Sequence, residues 1–125
     1  MPNWDGGIVM SLEHSHAGES AEILAIGMSR SRDEFIIELA GELDLSGVTR
    51  VSEAFAAALD SDAPTIVLDL RDLEFLDSTG VHAILKAERS AREENRSFVV
   101  VRGPRQVQRI FEISGIVDRL AFSDG

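Results

Sequence analysis

The chain contains no cysteine, no tyrosine and no long apolar run, and each absence removes a class of function. Without cysteine, the 125 residues cannot form disulfides, thiolate metal sites or cysteine nucleophiles, which is compatible with a reducing cytosol. No stretch approaches the roughly 18 to 20 apolar residues that a membrane span requires. The N-terminus has no basic region followed by an apolar run, so it does not resemble a signal peptide. The sequence therefore predicts a cytoplasmic protein without a membrane span.

Positive charge is also scarce. The 12 basic side chains are outnumbered by 22 acidic ones, which gives a formal net charge of −10. An acidic domain repels phosphate backbones, and the basic stripe with aromatic residues that nucleic-acid binding needs is missing, so no direct nucleic-acid partner is expected. A basic protein surface would complement this charge, although a solvated acidic surface that only aids solubility fits equally well.

Hydrophobic patterning predicts a single α/β domain with a mixed, mostly parallel sheet of 4 to 5 strands and helices packed on it. Residues 1 to 20 show no sustained periodicity and are interpreted as an irregular extension, so the folded domain is assigned to residues 21 to 125. The predicted elements are strands near 23–26, 35–39, 65–70, 98–101 and 120–122, and helices near 46–60, 80–93 and 104–114.

Several local signals support these elements. Ser46 is the expected N-cap of the first helix, and Pro104 is expected in the first turn of the third. Gly115 is expected to end that third helix in a left-handed conformation. The strand Thr65–Leu70 is an almost unbroken apolar run, which indicates burial on both faces.

Asp77-Ser78-Thr79-Gly80 follows this third strand and opens a helix. A hydroxyl at such a junction lies beside free backbone N–H groups and the positive end of the helix dipole, so negative charge added there is partly satisfied. The same residues could be a structural cap only, with Ser78 or Asp77 accepting from the first-turn N–H groups, which is worth about 0.5 to 2 kcal/mol. The residues alone leave both interpretations open.

The histidines do not predict a catalytic or metal site. Ser78 lacks the flanking glycines of a Gly-x-Ser-x-Gly nucleophile elbow, and His82 lies on the same predicted helix four residues later. His14 and His16 could share one metal ion, but no cysteine or further histidine completes the site, and ordinary surface histidines are favoured. The spaced glycines and lysine of a phosphate-binding loop are also absent. We therefore predict no enzyme activity, metal or cofactor.

Three segments together resemble the STAS domain, and specifically the stand-alone bacterial anti-sigma factor antagonists. They are Gly41-Glu42-Leu43-Asp44, the strand 66–70, and Phe75-Leu76-Asp77-Ser78-Thr79-Gly80-Val81. The resemblance spans about residues 21 to 122. It implies a partner-switching protein whose unphosphorylated form binds an anti-sigma factor that is also a serine kinase, so that a sigma factor is released. The kinase then phosphorylates the antagonist, the complex dissociates, and a serine phosphatase of the metal-dependent type reverses the modification.

The resemblance also implies roles for individual residues. Ser78 would be the phosphoacceptor, with Thr79 as the second choice. Asp77, Thr79 and Gly80 would shape the acceptor loop, and Asp44 would lie beside it, so these residues and Ser78 form the predicted partner-binding set. The alternative is a STAS interaction module in a lipid-transport or stress-sensing assembly, without a working phosphoswitch.

Overall fold

The computed structural model describes residues 23 to 125 and confirms the predicted α/β class. Its elements are β1 (Leu24–Arg30), β2 (Glu34–Leu43), a 3-10 turn (Leu45–Gly47), α1 (Val48–Asp60), β3 (Thr65–Leu76), α2 (Ser78–Glu93), β4 (Ser97–Val101), α3 (Arg105–Ile113), a second 3-10 turn (Val117–Arg119) and β5 (Ala121–Ser123). None of the helices in this part of the chain has the length and apolar character needed to cross a membrane. The predicted extension 1–20, with its His14 and His16, lies outside the described residues.

The five strands form one sheet in the order in which they occur along the chain. β1 pairs antiparallel with β2, and β2, β3, β4 and β5 then pair in parallel. Parallel neighbours need crossover connections, which are almost always right-handed. Because each crossover steps in the same direction along the sheet, α1, α2 and α3 are all placed on the same face. The predicted mixed, mostly parallel sheet is confirmed.

Aromatic contacts agree with this one-sided arrangement. Phe55 of α1 packs against Phe98 of β4 with ring centroids 6.0 Å apart, and Phe111 of α3 packs edge-on against Phe122 of β5 at 5.2 Å. Phe122 lies opposite Val100, two residues from Phe98, so the two strand rings point to the same face. The core therefore lies between one face of the sheet and the helices.

Strand β3 differs from its prediction in length and in coverage. It continues past Leu70 to Leu76, and it pairs with β2 through two register shifts. Buried Ile66 and Leu68 alternate with half-buried Thr65 and Val67, so the prediction of burial on both faces is wrong for the first half of this run. It is confirmed only for Leu68, Asp69 and Leu70, which are all buried. The extra length matters for the site, because it brings the end of β3 beside the end of β2, where Leu76 pairs with Leu43.

Gly41 allows one of these register shifts. Its φ is +100°, in the left-handed region that favours glycine, and a Cβ there would lie 2.0 Å from the carbonyl oxygen of Ile23. The backbone N–H of Glu42 donates to that same carbonyl at 2.7 Å. The close approach of β2 to the start of β1 therefore requires glycine at this position.

The helix ends follow most of the local signals. α1 ends at Asp60 as predicted, and its last carbonyls at Ala58 and Leu59 accept hydrogen bonds from the Arg96 guanidinium at 3.1 and 2.8 Å. Gly115, with φ of +73°, confirms the predicted left-handed end of α3. Pro104 precedes α3 as its N-cap residue and does not lie in the first turn.

Candidate functional site

Two short junctions meet where β2 and β3 end side by side. From each strand the chain turns towards a helix through four residues of the pattern Asp-x-Ser/Thr-Gly, which are Asp44-Leu45-Ser46-Gly47 and Asp77-Ser78-Thr79-Gly80. We call these the leucine junction and the serine junction. Both aspartates have extended backbone, with φ of −130° at Asp44 and −110° at Asp77. The same local geometry is therefore used twice at one edge of the sheet.

At the serine junction the helix cap is Asp77. Its Oδ1 accepts from the backbone N–H of Thr79 at 3.0 Å and of Gly80 at 3.2 Å. The hydroxyl of Thr79 donates to the same oxygen at 2.5 Å. Of the two residues that the sequence offers as caps, Asp77 performs this role and Ser78 does not.

Ser78 is the first residue of α2, and its side chain is exposed. Within residues 23 to 125 its hydroxyl makes no hydrogen bond, whereas the Thr79 hydroxyl is engaged with Asp77 and belongs to a half-buried residue. The two candidate acceptors are thus unequal. Ser78 presents its oxygen to solvent, and Thr79 uses its oxygen to support the cap.

The charge of Asp77 is stabilised by its surroundings. Burial alone raises the pKa of this carboxyl group. Hydrogen bonds from the Thr79 hydroxyl and from the backbone N–H groups of Gly80 and Thr79, together with the nearby N–H dipole of Leu45, outweigh burial, so the pKa lies below its usual value. The backbone N–H of Asp77 donates to the carbonyl of Leu43 at 3.2 Å, which ties the serine junction to the end of β2.

The leucine junction is capped in the same way. Oδ1 of Asp44 accepts from the Ser46 backbone N–H at 3.0 Å and from the Ser46 hydroxyl at 2.7 Å. The prediction of Ser46 as N-cap is therefore wrong, because its hydroxyl is the donor to Asp44 and α1 begins only at Val48. Leu45, the counterpart of Ser78, is 72% exposed.

The glycine that closes each junction lets the following turn rest on the strand ends. A Cβ at Gly80 would lie 2.6 Å from Cδ1 of Leu76 and 2.9 Å from Cγ of Leu43, and both leucines are fully buried. A Cβ at Gly47 would lie 2.8 Å from Cδ2 of buried Leu24. This close packing holds the second residue of each junction on the outer surface.

Leu45 and Phe75 are binding candidates that the sequence analysis does not single out. Phe75, near the end of β3, is 45% exposed and lies opposite Glu42 of β2. We define the strand-end surface as Leu45, Phe75 and Ser78. The matching pattern Asp-x-Ser/Thr-Gly could have indicated that Leu45 is exposed, because it aligns Leu45 with Ser78. Phe75 has no such signal, since its place in a strand alone does not reveal which face is covered.

The chemistry available at this surface is limited. Among residues 23 to 125, no group of three or more His, Cys, Asp or Glu side chains is arranged to hold a metal ion. The serine junction offers one unengaged hydroxyl, and Oδ1 of the adjacent Asp77 already accepts three hydrogen bonds. Such a hydroxyl can accept a group delivered by another protein.

Of the five predicted partner-binding residues, the structure brings all to one edge of the sheet, but it exposes only Ser78. Asp44, Asp77 and Thr79 are half-buried, and Gly80 is buried. These four therefore shape and hold the junctions more than they present contact area.

Comparison with known proteins identifies relatives with a shared domain. A family model described as Mlab, STAS domain, matches residues 26 to 121. The anti-sigma-B factor antagonist of Listeria monocytogenes is 29% identical over 89 residues, which are 71% of this chain and 78% of the relative. The anti-sigma F factor antagonist of Lysinibacillus sphaericus is 28% identical over 87 residues, 69% of this chain and 74% of the relative.

Solved structures share the fold. An anti-sigma factor antagonist from Mycobacterium paratuberculosis superposes with a TM-score of 0.70 at 20% identity, covering 82% of this chain and 86% of its own. Unphosphorylated SpoIIAA superposes with a TM-score of 0.68 at 24% identity, covering 79% of this chain and 88% of its own. The phosphorylated form of SpoIIAA, a Bacillus cell fate determinant, gives 0.63 at 23%, covering 79% and 91%. With the family model matching well over half of its length, the chain belongs to the STAS domain family.

Proposed function

We propose that this chain is an anti-sigma factor antagonist whose unphosphorylated form binds a kinase-type anti-sigma factor in the cytoplasm and is switched off by phosphorylation of Ser78. The observation that carries this proposal is the exposed, unengaged hydroxyl of Ser78 at a helix start that Asp77 already caps. Relatives that are antagonists of anti-sigma-B and anti-sigma F factors support the class of partner.

The geometry favours Ser78 over Thr79 as the acceptor. A kinase must bring the acceptor oxygen in line with the transferred phosphoryl group, so the hydroxyl has to be accessible. Phosphorylation of Thr79 would break its hydrogen bond to Asp77 and disturb the cap of α2. Phosphorylation of Ser78 breaks no such contact.

A phosphate on Ser78 changes the surface without requiring a new fold. It adds about −1.5 to −2 charges beside the ionised Asp77. The start of α2 favours this charge and the carboxylates oppose it, each by about 1 kcal/mol, so the two effects nearly cancel in the folded chain. A partner that approaches the strand-end surface meets the new charge directly.

Leu45 and Phe75 offer that partner exposed apolar contacts near the ends of β2 and β3, where Ser78 also lies. Fully burying a large apolar side chain contributes about 1.5 to 3 kcal/mol, so these two can dominate the affinity. A doubly charged phosphate on Ser78 would have to be desolvated when a partner covers this surface. This is the physical basis for release of the anti-sigma factor after phosphorylation.

A labelling experiment tests the proposal. The chain is incubated with ATP and each kinase-type anti-sigma factor encoded in the same genome, and its intact mass is measured. We expect one added phosphate in the wild type and in Ser46→Ala, the matched variant at the leucine junction, and none in Ser78→Ala. A serine phosphatase of the metal-dependent type should remove the phosphate.

Two results would contradict this account. Undiminished labelling of Ser78→Ala would show that the acceptor is another residue. If labelling were then lost in Thr79→Val, that residue would be Thr79. Tight binding of a partner without any labelling would instead favour the alternative of a STAS interaction module in a lipid-transport or stress-sensing assembly.

A further inference from the structure

A groove runs between α1 and α2 on the side of the helices that faces solvent. Phe55 and Leu59 of α1 line it, together with Ala83 and Ala87 of α2. Its volume is about 170 Å³. A cavity of about 150 Å³ lined by aliphatic and aromatic side chains holds a benzene molecule, so this groove has room for one large apolar side chain.

The groove exists because small residues face each other across the helix pair. Ala56 on α1 and Ala83 on α2 leave open a space that longer side chains would fill, and Ala56 is exposed while Ala83 is half-buried. Phe55 is 5% exposed and Leu59 is half-buried, which keeps the bottom of the groove apolar.

The rim of the groove carries an uncompensated positive charge. Lys86 lines it and is the only lysine of the chain, which otherwise carries a net charge of −10. Its side chain is exposed and, among the described residues, forms no ion pair. A carboxylate of a partner that binds beside an apolar group could therefore pair with Lys86, although the net negative charge of the chain repels anions elsewhere.

The rim of the groove and Ser78 lie along the same side of α2. Ser78, His82 and Lys86 are spaced by four residues on α2 and are all exposed, so they lie along one side of the helix. Lys86 is eight residues from Ser78, about 12 Å along the helix axis. A standard interface covers about 800 Å² per partner, equivalent to a disc of about 16 Å radius, so a partner centred on Ser78 also reaches the groove.

We propose that the groove between α1 and α2 receives one large apolar side chain of the anti-sigma factor, with a neighbouring carboxylate of that partner paired to Lys86. The inference rests on the proposed function, since it names the same partner. The groove adds a second contact that does not involve the phosphoacceptor.

The test measures the dissociation constant of the anti-sigma factor that binds the wild-type chain, by calorimetry. Ala56→Leu fills the groove, and Lys86→Glu reverses the charge at its rim. Each should weaken binding about tenfold or more, the size expected for loss of an anchor contact. Arg89→Glu, also exposed on α2 but outside the lining, is the matched control and should weaken binding less than about threefold.

Thermal unfolding of each variant shows that it folds, and Lys86→Met repeats the rim test without an added negative charge. Labelling of Ser78 at saturating kinase should persist in all four variants. Wild-type affinity in Ala56→Leu and Lys86→Met would overturn the groove proposal and leave the proposed function intact. A wild-type chain that binds no anti-sigma factor would overturn both. A groove variant that alters only self-association, seen by sedimentation, would assign the groove to a second copy and contradict the proposal.

Discussion

The leucine junction and the serine junction are built on one plan and differ in the residue that they expose. In both, an extended aspartate accepts from the N–H and hydroxyl of the residue two positions later, and a glycine packs on buried leucines. Between these fixed points, one junction presents Leu45 and the other presents Ser78.

This difference shows that separate residues of each junction maintain its structure and contact a partner. The cap, the hydroxyl donor and the glycine hold the backbone, so the second residue of each junction is relieved of any structural role. At the leucine junction that position offers apolar area for a partner. At the serine junction it offers an oxygen that can be modified, and modification leaves the cap in place.

Removal of the two caps should have the largest effect on stability. Asp77 holds three donors at the start of the sixteen-residue helix α2, whereas Asp44 holds two donors from a single residue. We expect Asp77→Ala to lower the free energy of unfolding by about 2 kcal/mol and Asp44→Ala by about 1 kcal/mol, as for other N-caps. Urea unfolding of both variants measures the difference. A larger loss of stability for Asp44→Ala than for Asp77→Ala would contradict the order that the number of hydrogen bonds predicts.

Substitution of the glycines should have the next largest effect. Gly80→Ala places a methyl group against Leu43 and Leu76, and Gly47→Ala meets mainly the end of the Leu24 side chain. Overpacking costs about 1 to 3 kcal/mol, partly offset by the better helix propensity of alanine, so we expect net losses of about 1 to 2 kcal/mol for Gly80→Ala. For Gly47→Ala we expect at most about 1 kcal/mol, since one flexible contact has to move. Equal losses in urea unfolding would contradict this ranking.

The charge of Asp77 should make a smaller, pH-dependent contribution to the free energy of unfolding. Its pKa is lower in the folded chain than in the unfolded one, so the carboxylate stabilises the fold above the unfolded pKa, and this stabilisation is lost as the pH falls through the folded pKa. Asp77→Asn keeps an acceptor oxygen but removes the charge, and at pH 7 it should cost about 0.5 kcal/mol. Unfolding measured from pH 7 to pH 2.5 should show the two proteins converging below about pH 4. A constant gap across this range would mean that the charge plays no part.

Changes at the exposed positions should have the smallest effect on stability. Leu45→Ser and Ser78→Ala alter residues that the junctions do not use for capping, so both should change the free energy of unfolding by less than about 0.5 kcal/mol. Differential scanning calorimetry provides the measurement. A loss above about 1 kcal/mol for Ser78→Ala would return Ser78 to the role of a structural cap.

Much of the fold follows from the sequence, because apolar periodicity and turn residues agree along most of the chain. The helix α1 ends where Asp60 interrupts its apolar face, and Gly115 ends α3 as its conformational freedom suggests. The end of β3 could not be predicted from the sequence. Arg71, Asp72 and Glu74 interrupt the apolar run, but the backbone remains paired with β2 through register shifts.

The site is less predictable than the fold for a physical reason. Asp77 and Ser78 are both good cap residues, and only the observed hydrogen bonds show which one is used. The covering of the sheet on one face is likewise set by the order of the strands, not by the apolar content of β3. The exposure of Leu45 depends on the packing of the turn around it.

The most direct test of the account is the dissociation constant of the anti-sigma factor for the wild type, Ser78→Asp and Ser31→Asp, measured with thermal unfolding of the same samples. Ser31 is exposed in the turn between β1 and β2, at the opposite end of the sheet, and provides a charge-matched control. We predict binding weakened about tenfold or more in Ser78→Asp and less than about twofold in Ser31→Asp, with both variants as stable as the wild type within about 1 kcal/mol. Unchanged binding by a folded Ser78→Asp chain would contradict the claim that charge at the serine junction controls the partner.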